Sequence, residues 1–414
     1  MGATSTMALL LLLQVAGGGL IACEALNLSP LPSLSSLSSS PKPLIGRVKA
    51  GRDTNLTVSS LGFGTWSWGN RLLWDYDPSQ DGEIYDAYRT VRDAGATLFD
   101  TADSYGTTNL NGRAEILLGE FERRYLAERT AEAEAAATAG GGGGGGDFWA
   151  GLFGGSSGAA GSSGRPAPPL PQQVATKFAP YPWRLTRRSV LRAARESLSR
   201  LEQDRMAIAQ LHWSTKNYLP QQEPALWDGV ADVYDAGLCD AVGVSNYGPV
   251  QLSRFASRME ERGVPLATAQ VQYSLLTYGA ARDMAEACDG AGCALIAYSP
   301  LCLGLLTGKY NVDNLPRDGN PRRQLFRELL PSASPVLKTL EAVADEYGRT
   351  MSQTAVNWAM RKGAVPIPGA RDVRQAQENL GATGWELGED AVLELDRAAL
   401  SVTKPMIQNI FQTI

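Results

Sequence analysis

Residues 99–106 have the sequence Phe-Asp-Thr-Ala-Asp-Ser-Tyr-Gly, which places a carboxylate where a buried strand is predicted to end. The apolar run of residues 96–99 follows a helical pattern at residues 83–92 and a turn, so it predicts a short strand. Asp100 then ends that strand, and Tyr105 follows in the loop. In barrels of alternating strands and helices, this end of every strand forms the catalytic face. The alternative is a structural role, in which Asp100 caps a helix and Tyr105 packs against its neighbours. The residues at the other strand ends distinguish this role from a catalytic one.

Apolar runs alternate with helical patterns along the rest of the chain. This alternation is typical of the α/β class and predicts a closed (β/α)8 TIM barrel over residues 54–414, with a short N-terminal hairpin. The predicted strands are residues 61–66, 97–100, 174–177, 207–212, 241–245, 268–272, 295–298 and 364–367. Helical patterns lie between them at residues 114–124, 188–201, 223–236, 250–262 and 280–287.

A low-complexity insert at about residues 127–171 interrupts the barrel pattern. It contains seven consecutive glycines at 140–146, followed by more Gly, Ser and Pro. Such a composition buries too little apolar surface to offset the entropy of ordering it, so we expect disorder, although the preceding helix can continue to residue 137. Because the insert connects a helix to the next strand, we expect it on the N-terminal face of the barrel, away from the catalytic face.

The first 53 residues predict targeting. The signal-like part, residues 1–25, contains an uncharged Leu-rich core that glycines at 17–19 interrupt, which favours a signal peptide over a membrane span. The transit-like part, residues 26–53, is rich in Ser and carries four basic residues before its first acid. Together they predict delivery to a plastid, such as a chloroplast, by the secretory route; the secretory lumen and the mitochondrion are the alternatives.

Composition excludes several classes of function. A net charge of −5 gives no reason to expect nucleic acid as a partner. Five Cys without a CxxC pair and a single His argue against a metal site or a disulfide framework. We expect a monomer whose mature form is not inserted in a membrane and whose partner is a small molecule.

Two further strand ends carry residues that complement Asp100 and Tyr105. Lys177 ends the third predicted strand and His212 ends the fourth. An ammonium next to a phenol is expected to lower the phenol's pKa, and a carboxylate keeps that ammonium charged and in place. An imidazole can orient a substrate oxygen or assist proton transfer. A solvated Lys and a core His are the structural alternatives, but the four residues together form an acid–base set.

Four segments resemble the aldo-keto reductases: residues 99–106, Ala-Thr-Lys-Phe at 175–178, Gln-Leu-His-Trp at 210–213 and Val-Gly-Val-Ser-Asn-Tyr at 242–247. The resemblance covers essentially everything from Asn55 onward except the insert. It implies that Tyr105 is the general acid, that Lys177 and Asp100 tune it, and that His212 orients the substrate.

The same resemblance implies an NADPH site. At the nicotinamide end of this site, Ser245, Asn246 and Gln270 match the residues that hold the carboxamide. Tyr298 matches the residue that stacks on the ring, and Ser299, Pro300 and Leu301 follow it. Gly64, Thr65 and Trp66 match residues that line the same pocket from the first strand. Its adenine end lies where residues 367–371 open a predicted helix, 373–380, whose N-terminus suits an anion. Matching residues there are Gly369, Arg371, Gln375, Glu378 and Asn379, while Lys309 matches a lysine near the pyrophosphate. The guanidinium of Arg371 favours NADPH over NADH.

Residues 66–74, 181–186 and 406–413 resemble a plant chloroplast branch of the family that reduces pyridoxal to pyridoxine with NADPH. Two alternatives remain: a reductase of sugar-derived or reactive aldehydes, and an NADPH-binding regulatory subunit similar to the beta subunits of potassium channels. The regulatory branch carries Asn at the position of His212, so this residue favours an enzyme.

Overall fold

The computed structural model describes residues 45–139, 169–184, 186–406 and 412–413. Residues 1–44, which carry most of the predicted targeting region, lie outside the described residues. So do residues 140–168, which form most of the predicted disordered insert. Within the described ranges, no helix combines the length and apolar character needed to cross a membrane.

An N-terminal hairpin precedes the barrel, as predicted, but it begins earlier than Thr54. Strands β1, Arg47–Lys49, and β2, Thr57–Ser59, pair antiparallel. Ile45 and Ala50 are buried, so part of the segment assigned to a transit-like region packs against the fold. The hairpin covers the apolar interior at the N-terminal end of the barrel, where Ala50 and Val58 join one core cluster with Leu98, Ala175, Ala207, Ile208, Ala241, Ala267, Ile296, Val365 and Ile367.

Eight parallel strands form the barrel and confirm the predicted (β/α)8 fold. In sheet order they are β3, Phe63–Gly64, β4, Leu98–Asp100, β5, Gln173–Phe178, β6, Met206–Leu211, β7, Cys239–Ser245, β8, Leu266–Gln272, β9, Ala294–Tyr298, and β10, Val365–Ile367. The sheet closes where Gly64 forms a parallel bridge to Gly369. Glycine is required at this seam, because a Cβ on Gly62 would lie 2.9 Å from side-chain carbons of both Ile367 and Leu98.

Helices cover the outside of the barrel, each with an apolar face towards the strands. Thr186 and Thr350 cap two of them with reciprocal side-chain hydrogen bonds. The helix predicted at residues 280–287 is divided in two, and the helix before the insert extends to Ala139. The helices are Arg71–Trp74, Asp81–Asp93, Arg113–Ala139, Arg187–Leu201, Glu223–Asp235, Pro249–Arg262, Tyr278–Ala281, Met284–Ala291, Pro321–Glu346, Met351–Arg361, Val373–Leu380 and Glu389–Leu400.

Candidate active site

A buried ion pair joins the ends of β4 and β5. The ammonium of Lys177 donates to Oδ2 of Asp100 at 2.5 Å, and the two side chains are 1% and 4% exposed. Burial lowers the pKa of Lys177, while the charge of Asp100 and its hydrogen bond oppose that shift. Because desolvating two charges is costly, an ion pair in the mouth of the barrel indicates function more than stability.

The second oxygen of Asp100 is also occupied. It accepts a hydrogen bond of 2.6 Å from Nε2 of Gln270, which reaches across the barrel from β8. The backbone oxygen of Asp100 accepts from the N–H and the hydroxyl of Thr65 at 2.9 and 3.1 Å. The carboxylate is therefore fixed from two strands, β5 and β8, and Thr65 holds the backbone of the same residue. Two residues predicted for the cofactor site, Thr65 and Gln270, thus contribute to the position of Asp100.

Tyr105 lies above this ion pair on the loop after β4. The Nζ atom of Lys177 is 4.9 Å from the centroid of its ring. Burial raises the pKa of the phenol well above its ordinary value, and the charge of Asp100 and the proximity of Tyr298 act in the same direction. The net shift of the phenol's pKa is therefore upwards, and the lowering effect of the Lys177 ammonium stays a prediction. The phenol stays protonated at neutral pH and is available as a proton donor.

His212 follows β6 and lies beside Tyr105, with the two ring centroids 5.7 Å apart. Its backbone is held at both ends: its N–H donates to the oxygen of Phe178 at 3.1 Å, and its oxygen accepts from Nδ2 of Asn246 at 2.9 Å. Burial lowers the pKa of the imidazole well below its ordinary value, with smaller contributions from the cations Lys177 and Arg184. The imidazole is therefore neutral at physiological pH.

A second buried ion pair, which the sequence analysis did not identify, fixes the loop that carries Tyr105. The N–H of Asp103 donates to the oxygen of Lys177 at 3.0 Å, and its carboxylate accepts from the N–H of Ala179 at 3.1 Å. Arg184 pairs with the same carboxylate and donates to the oxygen of Ala179 at 2.7 Å. Asp103 and Arg184 both lie in segments that resemble the family, but no spacing rule connects positions so far apart in the sequence.

The predicted nicotinamide residues meet at the ends of β7 and β9. Asn246 has φ of 62°, a strained conformation for a residue other than glycine, and its Nδ2 donates to Oγ of Ser245 at 3.0 Å. The hydroxyl of Tyr298 donates to Oδ1 of Asn246 at 2.9 Å. Ser299 also has a positive φ, 48°, and begins the irregular segment that contains Pro300 and Leu301. Strained backbone concentrated at these two strand ends is typical of a ligand site.

The predicted adenine residues lie at the N-terminus of the helix Val373–Leu380. The backbone N–H of Arg371 donates to Oε1 of Gln375 at 3.1 Å, and its guanidinium donates to the oxygen of Trp74 at 2.7 Å. Burial lowers the pKa of Arg371, and the like charge of Arg322 lowers it further. The carboxylates of Asp372, Asp75 and Glu83 oppose this shift.

The remaining predicted cofactor residues have different surroundings. Asn379 donates to the oxygen of Gly369 at 3.1 Å, which supports the turn before the helix. Glu378 accepts a hydrogen bond from Thr350 at the start of the helix Met351–Arg361. Lys309 is exposed, with Nζ 5.4 Å from the ring centroid of Tyr310. The ring of Trp66 packs edge-on against Trp74, with the centroids 4.6 Å apart.

These residues fit a dinucleotide with a phosphate at its adenine end. The anion would meet Arg371, Arg322 and the helix N-terminus, all of which favour negative charge. Next to them, the buried hydroxyl of Ser67 lies 3.6 Å from where a Cβ of Gly369 would be. Within the described residues this hydroxyl has no hydrogen-bond partner. A polar atom in this position suits a bound ligand.

Comparisons with known proteins agree with the fold and identify a protein family. A family model described as the aldo/keto reductase family matches residues 60–134 and 159–399. A chloroplastic pyridoxal reductase of Arabidopsis thaliana is 46% identical over 359 residues, which cover 86% of this chain and 88% of that protein. An L-glyceraldehyde 3-phosphate reductase of Escherichia coli K12 is 27% identical over 71% of this chain and 77% of its own. Among solved structures, a glycerol dehydrogenase of Gluconobacter oxydans matches 88% of this chain and 98% of its own with a TM-score of 0.63 and 22% identity, which supports the fold alone.

Proposed function

The chain belongs to the aldo/keto reductase family and is an oxidoreductase acting on aldehydes or alcohols, and from this premise we propose that it reduces pyridoxal to pyridoxine with NADPH. The observation that carries the reductase assignment is the buried pair of Lys177 and Asp100 beneath a protonated Tyr105, with the neutral imidazole of His212 beside it. The similarity to a chloroplastic pyridoxal reductase supports the substrate and a role in vitamin B6 salvage.

The acid–base residues have separate roles in this reaction. When bound, NADPH supplies the hydride that adds to the carbonyl carbon. Tyr105 donates its proton to the carbonyl oxygen as negative charge develops there, and its raised pKa ensures that the proton is present. Lys177, next to the ring, stabilises the phenolate that remains, and Asp100 fixes Lys177. His212 orients the same oxygen.

The preference for NADPH follows from the charges at the adenine end. Arg371 is half-buried and is influenced by a second guanidinium, Arg322, so a ligand that carries a 2′-phosphate gains more there than one with a ribose hydroxyl. The N-terminus of the helix Val373–Leu380 adds to that preference. We therefore infer that the cofactor is NADPH in the direction of reduction.

Reduction of sugar-derived or reactive aldehydes is the second candidate. It is favoured by the similarity, at lower identity, to an L-glyceraldehyde 3-phosphate reductase. A regulatory role without catalysis is the less favoured alternative, because His212 lies beside a protonated Tyr105 in an arrangement suited to catalysis.

The test is NADPH oxidation by the purified chain with pyridoxal and with a panel of simple, sugar-derived and reactive aldehydes. We expect a kcat/KM for pyridoxal that clearly exceeds the values for the panel. A higher kcat/KM for a sugar aldehyde would mean that the chain is a reductase with a different substrate. NADPH binding without turnover of any aldehyde would favour the regulatory role.

A plastid location is part of the proposal. The similarity to a chloroplastic protein supports it, and so does the signal-like and transit-like composition of the first 53 residues. A fluorescent fusion to residues 1–53, expressed in a cell with plastids, tests it. Fluorescence in the secretory lumen or the mitochondrion would contradict it.

A further inference from the structure

A buried carboxylate outside the site already described belongs to Glu223, the first residue of the helix Glu223–Asp235. The residue is 3% exposed, and the groups that donate to its carboxylate within the described residues are all uncharged. A carboxylate without a counter-ion is costly to bury, and the hydrogen bonds and the N-terminus of the helix offset that cost. The donors are Ser214, Thr215, Trp227, Tyr247 and Gln251. They come from the loops after β6 and β7 and from the helices that follow, so one carboxylate connects two neighbouring strand–helix units.

Two of the donors hold the loop that carries His212. Oε2 of the carboxylate accepts from the backbone N–H and from the hydroxyl of Thr215, each at 2.6 Å, and Oε1 accepts from Oγ of Ser214 at 2.8 Å. Oγ of Ser214 in turn accepts from the N–H of Lys216 at 3.1 Å. Because Ser214 and Thr215 are the second and third residues after His212, the carboxylate fixes the end of the segment that presents the imidazole.

A further attachment comes from the loop after β7. The hydroxyl of Tyr247 donates to Oε1 of Glu223 at 2.8 Å, and Nε1 of Trp227 lies 3.2 Å from the same oxygen and 3.1 Å from that hydroxyl. Tyr247 directly follows Asn246, whose positive φ needs support from its neighbours. Asn246 in turn donates to the backbone oxygen of His212. Glu223 therefore supports His212 from two sides, through its own loop and through the neighbouring one.

The place of His212 matters because its ring faces the loop after β4. Oγ of Ser104 lies 3.2 Å from Nδ1 of the imidazole, and the ring centroid of Tyr105 is 5.7 Å from that of the imidazole. In the proposed reaction the imidazole and the phenol act on one carbonyl oxygen, and misplacing a reacting group by about 1 Å can cost about 100-fold in rate. A contact that fixes the loop after β6 therefore acts on the reaction.

We propose that Glu223 is a positioning residue for the reduction: it joins the loops after β6 and β7 so that His212 keeps its place beside Tyr105. This inference rests on the proposed reductase function. The alternative is a carboxylate that only stabilises its own helix. A carboxylate in the first turn can do so while exposed to solvent, and it would need no donors from two loops.

The imidazole signals of untagged protein labelled with 15N-histidine test this role, because the chain contains one histidine. We expect Glu223→Gln and Thr215→Val to move those signals. Thr215→Val keeps the charge of the carboxylate and removes one hydroxyl donor, so a shift in this variant reports a change of position. Tyr125→Phe is the matched control and should leave the signals in place. It also removes a hydroxyl that donates to a carboxylate, that of Asp93 at 3.0 Å, but between two outer helices.

Kinetics separate positioning from a purely structural role. With kcat measured per NADPH-binding site, so that misfolded protein does not count, we expect Glu223→Gln to lower kcat about tenfold, the factor for a weak hydrogen bond to a charged group. NADPH affinity should change by less than about twofold. In a His212→Ala background the same substitution should lower kcat by less than about twofold, because no imidazole is left to position.

Equal factors in the two backgrounds would overturn the proposal, since a purely structural role lowers kcat alike in both. If Glu223→Gln fails to fold, Thr215→Val decides, because it only replaces a hydroxyl by a methyl group. A wild type that reduces no aldehyde would refute the proposed function. An active wild type whose imidazole signals stay in place in the variants would overturn this inference alone.

Discussion

The phenol of Tyr105 and the imidazole of His212 are both half-buried, and their desolvation disfavours the charged form of each. The pKa of Tyr105 is raised well above 10.0 and that of His212 is lowered well below 6.5. The phenol stays protonated until the pH exceeds its raised pKa, and the imidazole stays neutral until the pH falls below its lowered pKa. We therefore expect kcat for reduction to be flat between about pH 6 and 9, measured at saturating substrate. A fall in kcat centred in that range would show that another group, or a bound ligand, controls the proton.

Removal of the Tyr105 hydroxyl tests its role as the proton donor. We expect Tyr105→Phe to lower kcat by about 10²- to 10⁴-fold, the usual contribution of a general acid, because no other group supplies the proton to the substrate oxygen. NADPH affinity, measured by fluorescence titration, should change little. Retained turnover would refute the assigned role.

Arg371 is the residue that we expect to distinguish the two cofactors. Arg371→Ala should weaken NADPH binding by about tenfold to a hundredfold, as expected for the loss of a charged hydrogen bond, and leave NADH binding nearly unchanged. Arg374→Ala is the matched control: Arg374 lies on the same helix, its side chain is 69% exposed, and within the described residues its ion pair is with the cap residue Asp372 at 4.0 Å. Equal losses of affinity for NADPH and NADH in Arg371→Ala would show that other residues bind the 2′-phosphate.

At the scale of elements, the pair of Asp103 and Arg184 connects the loop after β4 to the loop after β5. Asp103→Asn should lower the free energy of unfolding by about 1–3 kcal/mol, because it leaves a largely buried guanidinium without its carboxylate. It should also lower kcat, since the same loop positions Tyr105. Glu202→Gln is the control, because it removes an exposed ion pair with Arg123 and should cost at most about 0.5 kcal/mol. Equal effects of the two substitutions in chemical denaturation would show that the loops are held by other contacts.

The barrel strands could be predicted from the sequence because each is a short apolar run between helical patterns. The observed strand ends differ from the predicted ones by a residue or two. The first barrel strand is shorter than predicted, because Gly62 and Gly64 lie at the seam where the sheet closes and only Phe63–Gly64 pairs regularly. The start of the hairpin at Arg47 could not be predicted, because its strands have only three residues and its first strand lies in a basic stretch, residues 26–52, that contains no acid. Short strands depend on tertiary packing more than on local pattern.

At the scale of the whole molecule, the sequence predicts candidate site residues but not their electrostatics. The four candidate acid–base residues could be found because each stands at a strand end or, for Tyr105, in the loop that follows one, and barrel topology brings such ends together. The direction of the pKa shift of Tyr105 depends on burial, which only the folded chain determines. The contact of Asp103 with Arg184 spans 81 positions, and that of Ser104 with His212 spans 108, so no local pattern reveals them.

The position of the insert in the barrel predicts that it is dispensable for catalysis. It joins the helix Arg113–Ala139 to the start of β5 at Gln173, whereas Lys177 stands at the opposite end of that strand, about 13 Å away at 3.3 Å per residue. We therefore expect deletion of residues 140–164 to leave kcat and KM for the aldehyde unchanged.

The entropy of closing a loop changes only slowly with its length, so we expect the deletion to change the free energy of unfolding by no more than about 1 kcal/mol. Steady-state kinetics and chemical denaturation of the two proteins, prepared side by side, measure both quantities. Replacing residues 140–164 by a Gly-Ser segment of equal length is the control, since it keeps the length and removes the sequence. A large fall in kcat in both variants would show that the sequence of the insert, and not its length, supports the active site from the opposite end of the barrel.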